Sequence, residues 1–237
     1  MMTDKKLGVL GGMGPFATSV FFERLIKNTE AHKDQEHIDT VILNYASMPD
    51  RTEAILTNNH QPFLDKVKEA FQIFEQSKVS NIAIPCNTSH YFYDEMVEMT
   101  NIHIINMVRS TVQYVKEHFH ESGKVAVLAT DGTKQSKVYE NELIKEGLVP
   151  FEHDIATQEE VMRIIYSFKS TGNYDSDHLN AIISKLVREY KCSSVILACT
   201  ELSCIPIHEE NLPYTVDALD VLVKESILLS GKELKAD

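Results

Sequence analysis

The chain says nearly everything twice. "KVAVLATDGT" at 124–133 echoes "KLGVLGGMGP" at 6–15, Gly132 lying 118 positions after Gly14. "SVILACT" echoes "NIAIPCNT", with Cys199 coming 113 positions after Cys86, and "YTVDALDVLVKESI" echoes "IINMVRSTVQYV". A period this long belongs to a duplicated half, not to a solenoid of short repeats.

Within the first half, β-rich runs alternate with helical patterns. "KLGVLGG", "DTVILNY", "SNIAIP" and "HIIN" read as strands; Pro15 to Thr29, Pro62 to Gln76, Ser89 to Met99 and Val108 to Glu117 read as helices. That alternation implies βαβ units and a parallel sheet covered on both faces. The expected architecture is therefore α/β: two similar lobes, each a parallel sheet flanked by helices, related by pseudo-twofold symmetry with the active site between them. The expected division is 1–117 plus 216–237 for the first lobe and 118–215 for the second. Ligands of such sheets lie beyond the carboxyl ends of the strands, where both Cys86 and Cys199 fall.

Bulk properties bound the function. With 237 residues and 43% apolar content the chain can build a real core. It offers no run approaching the ~20 apolar residues of a membrane span, and "MMTDKKLGVLGG" does not read as a signal peptide, so the expectation is a cytoplasmic protein. A net charge of −12 with scattered Lys and Arg argues against nucleic acid as a partner. Four irregularly spaced cysteines do not make a disulfide framework and are read as thiols.

In "GVLGGMGPFATS", Gly12, Gly14 and Ala17 fit a dinucleotide-binding turn. Such a site needs an acidic residue at the end of the second strand, where the sequence has Asn44, with Asp50 well past it. The turn then reads either as a structural one or as a place where N–H groups at a helix start attract an anion, Pro15 taking the first helical position.

A lone cysteine at a strand end is ordinarily a small buried hydrophobe. Two equivalent ones in duplicated halves suggest shared chemistry. Each precedes a Thr and an expected helix start, whose dipole and free N–H groups would lower the thiol pKa below ~8.5 and let it act as a base. Cys192 and Cys204 lack counterparts and are read as packing residues. A zinc site from Cys86, His90, Cys199 and Cys204 lacks the usual tight ligand spacing. A hydrolase reading, with one cysteine as nucleophile and His90 as base, leaves the second cysteine unemployed. Arg51 in "SMPDRTEAI" and Lys169 in "IIYSFKSTG" stand 118 positions apart, at matching places in the two halves. Each alone is an ordinary solvated cation; the match favours a shared role.

Taken in order, "GGMGPFAT", "MPDRT", "PCNTSH", "YSFKSTG" and "CTEL" resemble the aspartate/glutamate racemase family, and within it the aspartate racemase branch. The resemblance runs along nearly the whole chain. It implies a homodimer of two-lobed α/β subunits that inverts an acidic amino acid without pyridoxal phosphate, with no cofactor and no metal. It makes Cys86 and Cys199 the catalytic bases. Met13, Gly14, Asn87, Thr88 and Thr200 would surround the α-carboxylate and ammonium, with Arg51 and Lys169 on the side-chain carboxylate. Glu201 joins the substrate-binding set, standing where the glutamate racemase branch carries histidine; that branch also has Asp-Ser-Gly where this chain has Gly11, Gly12 and Met13. Ser89 replaces a common alanine and Ala198 a common glycine. Two bases on opposite faces of an α-carbon, one thiolate and one thiol, suffice for inversion. Aspartate is the expected substrate. Glutamate or broader specificity stands behind it, followed by a dinucleotide-dependent enzyme or an inactive protein binding a small anion.

Overall fold

The computed structural model describes residues 5–119 and 123–236. Its strands are β1 (Leu7–Gly11), β2 (Thr40–Asn44), β3 (Asn81–Ala83), β4 (His103–Ile104), β5 (Lys124–Leu128), β6 (Val149–Phe151), β7 (Cys192–Leu197) and β8 (Thr215–Asp217). Its helices are α1 (Pro15–Asn28), α2 (Arg51–Leu56), α3 (Gln61–Gln76), α4 (Tyr93–Glu98), α5 (Met107–His118), α6 (Asp131–Gln135), α7 (Val138–Lys145), α8 (Ile155–Thr171), α9 (Ser176–Arg188) and α10 (Ala218–Leu229). The strands form two four-stranded sheets of identical order, β2-β1-β3-β4 and β6-β5-β7-β8, with every pairing parallel. The repetition seen in the sequence is thus a repetition of topology.

Two compact units result, Met1–Met107 with Leu219–Asp237, and Val108–Ala218. These borders differ from those expected at 117/118 and 215/216, and the helices following β4 and β8 account for the difference. In α5, Lys116 pairs with Glu146 at 2.9 Å and Arg109 with Glu142 at 3.5 Å, both carboxylates of the second unit. In α10, Asp220 pairs with Arg24 at 2.7 Å, while the Leu229 carbonyl accepts from Asn81 Nδ2 at 3.0 Å in the first.

Each unit has its own core. Phe63, Val67, Ala70, Phe71 and Phe74 bury one face of α3, at helical spacing, against β1 and β3 residues such as Leu10 and Ile82. In the second unit Leu179, Ile182, Ile183 and Leu186 of α9 do the same against Val195 and Leu197 of β7. Burying one such side chain contributes roughly 2 kcal/mol. Among the described residues no helix is long and apolar enough to cross a membrane.

Three local differences from the sequence reading bear on the site. The segment after β2 forms a six-residue helix, α2, and the expected helix from Ser89 to Met99 splits into a 3-10 turn, Thr88–Phe92, followed by α4. After Cys199 comes only a 3-10 turn, Leu202–Cys204.

Candidate active site

In the first unit, the segments carrying Met13, Arg51 and Cys86 leave the carboxyl ends of β1, β2 and β3, three adjacent strands. The β1 turn is held from within. Gly12 sits at φ +93°, and a Cβ there would run into the Tyr45 backbone, so glycine is required. Its N–H is taken by Thr18 Oγ1 at 2.9 Å and is therefore not open to an anion. Met13 is buried in the cluster that also holds Met48 and Cys86, and its sulfur accepts from Ser89 Oγ at 3.4 Å, tying this turn to the cysteine loop.

Arg51 owes its place to a helix cap. Asp50 Oδ1 accepts from the Glu53 N–H at 2.9 Å, which makes Arg51 the first residue of α2. The side chain is only 8% exposed; Nη1 donates to the Pro49 carbonyl at 2.8 Å, and the buried Nε has no hydrogen-bond partner among the described residues. No carboxylate pairs with it there. A buried guanidinium left in this state is costly unless an anion completes it.

Cys86 follows β3 through a tight turn in which its N–H donates to the Ile84 carbonyl at 2.7 Å. It is buried, as are Asn87, Thr88, Ser89 and His90 after it. His90 is a structural clamp. Its Nδ1 lies 3.0 Å from the Cys86 carbonyl and must carry the proton, while Nε2 accepts from the Met107 N–H at 3.1 Å. The Ile105 carbonyl, 3.4 Å from Nε2, is then a neighbour and not an acceptor. Burial holds the imidazole pKa below its ordinary value, against the opposing backbone hydrogen bonds. With both nitrogens engaged, His90 serves neither as a general base nor as a metal ligand. Among the described residues no three His, Cys, Asp or Glu side chains gather to hold a metal.

This clamp makes a prediction. His90→Ala leaves the Cys86 carbonyl and the Met107 N–H unsatisfied and is expected to cost about 3 kcal/mol, read by urea unfolding. The sign with pH also follows: a folded-state histidine pKa below the unfolded value of about 6.5 makes stability fall as pH drops through 6.5. His153, also lowered by burial and then by Lys134, contributes in the same direction. The slope belonging to His90 is therefore the difference between wild type and variant, and it vanishes if His90 is not buried and neutral.

The second unit repeats the plan. Thr130 Oγ1 caps α6 after β5 by accepting from the Thr133 N–H at 3.3 Å, and Cys199 comes two residues after β7 ends. The Cys199 carbonyl accepts from the Leu202 and Ser203 N–H groups at 2.9 and 3.3 Å. Ser203 matches His90 as the fourth residue after its cysteine, and its hydroxyl donates to Asp217 Oδ1 at 2.6 Å. His90 reaches the first residue of α5, and Ser203 reaches the residue before α10. Nothing in the sequence spacing flags this pairing.

The two thiols are not equivalent. Cys199 Sγ donates to Glu201 Oε2 at 3.0 Å, and the Thr200 hydroxyl lies 3.5 Å from the same oxygen. Burial pushes the Cys199 thiol well above its ordinary range, the Glu201 carboxylate pushes the same way, and the smaller pull of the Lys169 ammonium opposes both. The expected lowering by a helix start therefore fails at Cys199, because desolvation dominates and only a 3-10 turn follows. Lys169 lies in the last turn of α8, which ends at Gly172 with φ +71°, and its ammonium sits 5.1 Å from the Tyr166 ring centroid. Of the remaining cysteines, Cys192 is buried, its thiol pushed up to about 11 by desolvation, and Cys204 donates to the Thr200 carbonyl at 3.2 Å.

These features define a duplicated α/β protein that sets a buried cysteine just past the carboxyl end of the corresponding strand in each copy. The Asp/Glu/hydantoin racemase family model matches residues 10–225, and the chain belongs to that family, a family of isomerases. It is 29% identical to an aspartate racemase from Picrophilus torridus, which superposes with a TM-score of 0.82 over 98% of this chain and 96% of that one. It is also 27% identical over 224 residues, 93% of this chain and 96% of the relative, to the broad specificity amino-acid racemase RacX of Bacillus subtilis (strain 168). A glutamate racemase from Bacillus anthracis, 17% identical, shares the fold with a TM-score of 0.63 over 93% of this chain and 79% of that one.

Proposed function

We propose that this protein is a cofactor-independent aspartate racemase in which Cys86 and Cys199 are the two bases. One thiolate takes the α-proton while the opposite thiol returns a proton to the other face, and the two exchange roles with direction. The carbanion's charge spreads into the α-carboxylate, which Met13, Gly14, Asn87, Thr88 and Thr200 surround, and Arg51 with Lys169 holds the side-chain carboxylate. The observation that carries the substrate class is Arg51, a buried guanidinium whose Nε has no hydrogen-bond partner and which forms no ion pair with a carboxylate among the described residues. Planar, bidentate donors of this kind suit a carboxylate. The Picrophilus torridus relative, an aspartate racemase, supports the same reading.

The test is incubation of each enantiomer of aspartate in D₂O without added cofactor, followed by NMR. Both enantiomers are expected to lose the α-proton signal and converge on the racemate. No exchange, or exchange only after pyridoxal phosphate or NAD is added, ends this reading. The Bacillus subtilis relative supports a second reading, a broad specificity, which predicts comparable exchange for leucine and other amino acids lacking a side-chain carboxylate.

A further inference from the structure

The chain passes from the first unit to the second between Met107 and Val108 and returns between Ala218 and Leu219. Each passage is tied to the cysteine of the unit it leaves, through the fourth residue after that cysteine. In the first unit His90 Nδ1 donates to the Cys86 carbonyl at 3.0 Å, and its Nε2 accepts from the N–H of Met107, the last residue before the passage, at 3.1 Å. In the second unit the Ser203 N–H donates to the Cys199 carbonyl at 3.3 Å, and the Ser203 hydroxyl donates at 2.6 Å to Oδ1 of Asp217, the neighbour of Ala218. Asp217 pairs in register with Leu197, the last residue of β7, so this link joins two adjacent strand ends. The wiring is the same and the chemistry is not: an imidazole does in one copy what a hydroxyl and a carboxylate do in the other. A buried hydroxyl needs some partner, but that need alone does not place the partner at the passage in both copies. A demand common to the two cysteines does.

We propose that Ser203 with Asp217, and His90 in the other copy, are positioning residues for the inversion: each ties the carbonyl of its own unit's cysteine to the point where the chain leaves that unit, and so fixes where that one sulfur stands. The role rests on the two-base reading above and adds residues that act through the cysteine's backbone. Proton transfer is sensitive to such support, since a misplacement of about 1 Å costs up to about a hundredfold in rate. Removing the Ser203 hydroxyl deprives the Asp217 oxygen of that donor and unties the 3-10 turn Leu202–Cys204 from the end of β8. The Cys199 side of the reaction is expected to feel it most, because the link to Cys86 runs through other atoms in the other unit. Racemisation rates alone do not separate the sides: L- and D-aspartate are equal in energy, which ties kcat/KM in the two directions together.

The experiment therefore measures α-proton washout from aspartate in D₂O in the Cys86→Ser and Cys199→Ser proteins, where each remaining base serves one enantiomer. Ser203→Ala is expected to lower washout in the Cys86→Ser protein, which keeps Cys199, at least about tenfold more than in the Cys199→Ser protein, which keeps Cys86. His90→Gln is expected to give the reverse order, and if that variant does not fold the Ser203 comparison decides by itself. Asp217→Ala attacks the same bond from its other end and gives the Ser203 pattern. Combining Ser203→Ala with Asp217→Ala then loses no more than the larger of the two single changes, because one bond is removed once. A general loosening of the fold lowers both washouts alike, so equal losses in the two backgrounds overturn the proposal, and so do no loss in either or losses that multiply in the combined variant. If wild type does not racemise aspartate, the function above falls and takes this role with it. If wild type does racemise it, and the two cysteine variants wash out opposite enantiomers while Ser203→Ala favours neither side, only the positioning role falls.

Discussion

Cys86→Ser and Cys199→Ser are each expected to lower aspartate racemisation by about 10²–10⁴-fold, the range for removing a positioned acid or base. Loss of turnover alone does not establish two bases. Each single variant keeps one thiol, and that thiol still faces one enantiomer's α-proton, which it removes and replaces with deuterium on the same face. In D₂O the two variants are therefore expected to wash out the α-proton of opposite enantiomers without inverting either. The asymmetry at Glu201 adds a pH signature. In Cys86→Ser the remaining base is Cys199, whose thiol burial and the adjacent carboxylate raise well above its ordinary range. A raised pKa means that the thiolate fraction, and with it the exchange, climbs with pH through and beyond the ordinary thiol value of about 8.5. Two variants exchanging the same enantiomer, or either one retaining racemisation within about tenfold of wild type, would remove the two-base mechanism.

What sequence reading reaches and what it misses divides along physical lines. The duplication was legible because Gly14 and Gly132, and Cys86 and Cys199, sit in matching strand-to-turn contexts, and strands such as Leu7–Gly11 and Cys192–Leu197 announce themselves by β-rich apolar runs. Helix α2 escaped because six residues are too few to display a helical period, although Asp50 with Glu53 three residues later is a cap signature that was there to be read. The state of Cys199 escaped for a different reason. A thiol before a helix start argues for a lowered pKa, but burial is set by the whole tertiary surroundings, and here it reverses the sign. The nearby "CTE" string placed a carboxylate two residues from the sulfur. Whether the side chains meet depends on the 3-10 turn that follows. Pairs such as Ser203 with Asp217, fourteen residues apart, and His90 with Met107, seventeen apart, leave no periodic trace at all.

Arg51→Met is expected to raise the KM for aspartate by about ten- to a hundred-fold with little change in kcat, since charge-assisted bonds to a carboxylate contribute about 1.5–3 kcal/mol and this carboxylate stays bound throughout the reaction. Methionine keeps an unbranched apolar stem in the buried position and removes the guanidinium. The free protein now holds that charge with its Nε unpartnered, a desolvation cost that methionine does not incur. Arg51→Met is therefore expected to melt no lower than wild type, and higher if relief from desolvation exceeds the loss of the Nη1 bond to the Pro49 carbonyl. Aspartate closes the argument by mass action: at a fixed millimolar concentration it should raise the wild-type melting temperature and leave the variant nearly unmoved. A residue kept for the fold gives the opposite pattern, a lower melting temperature with an unchanged KM. Only an anion site built at a cost to the free protein gives a weaker binder that is no less stable.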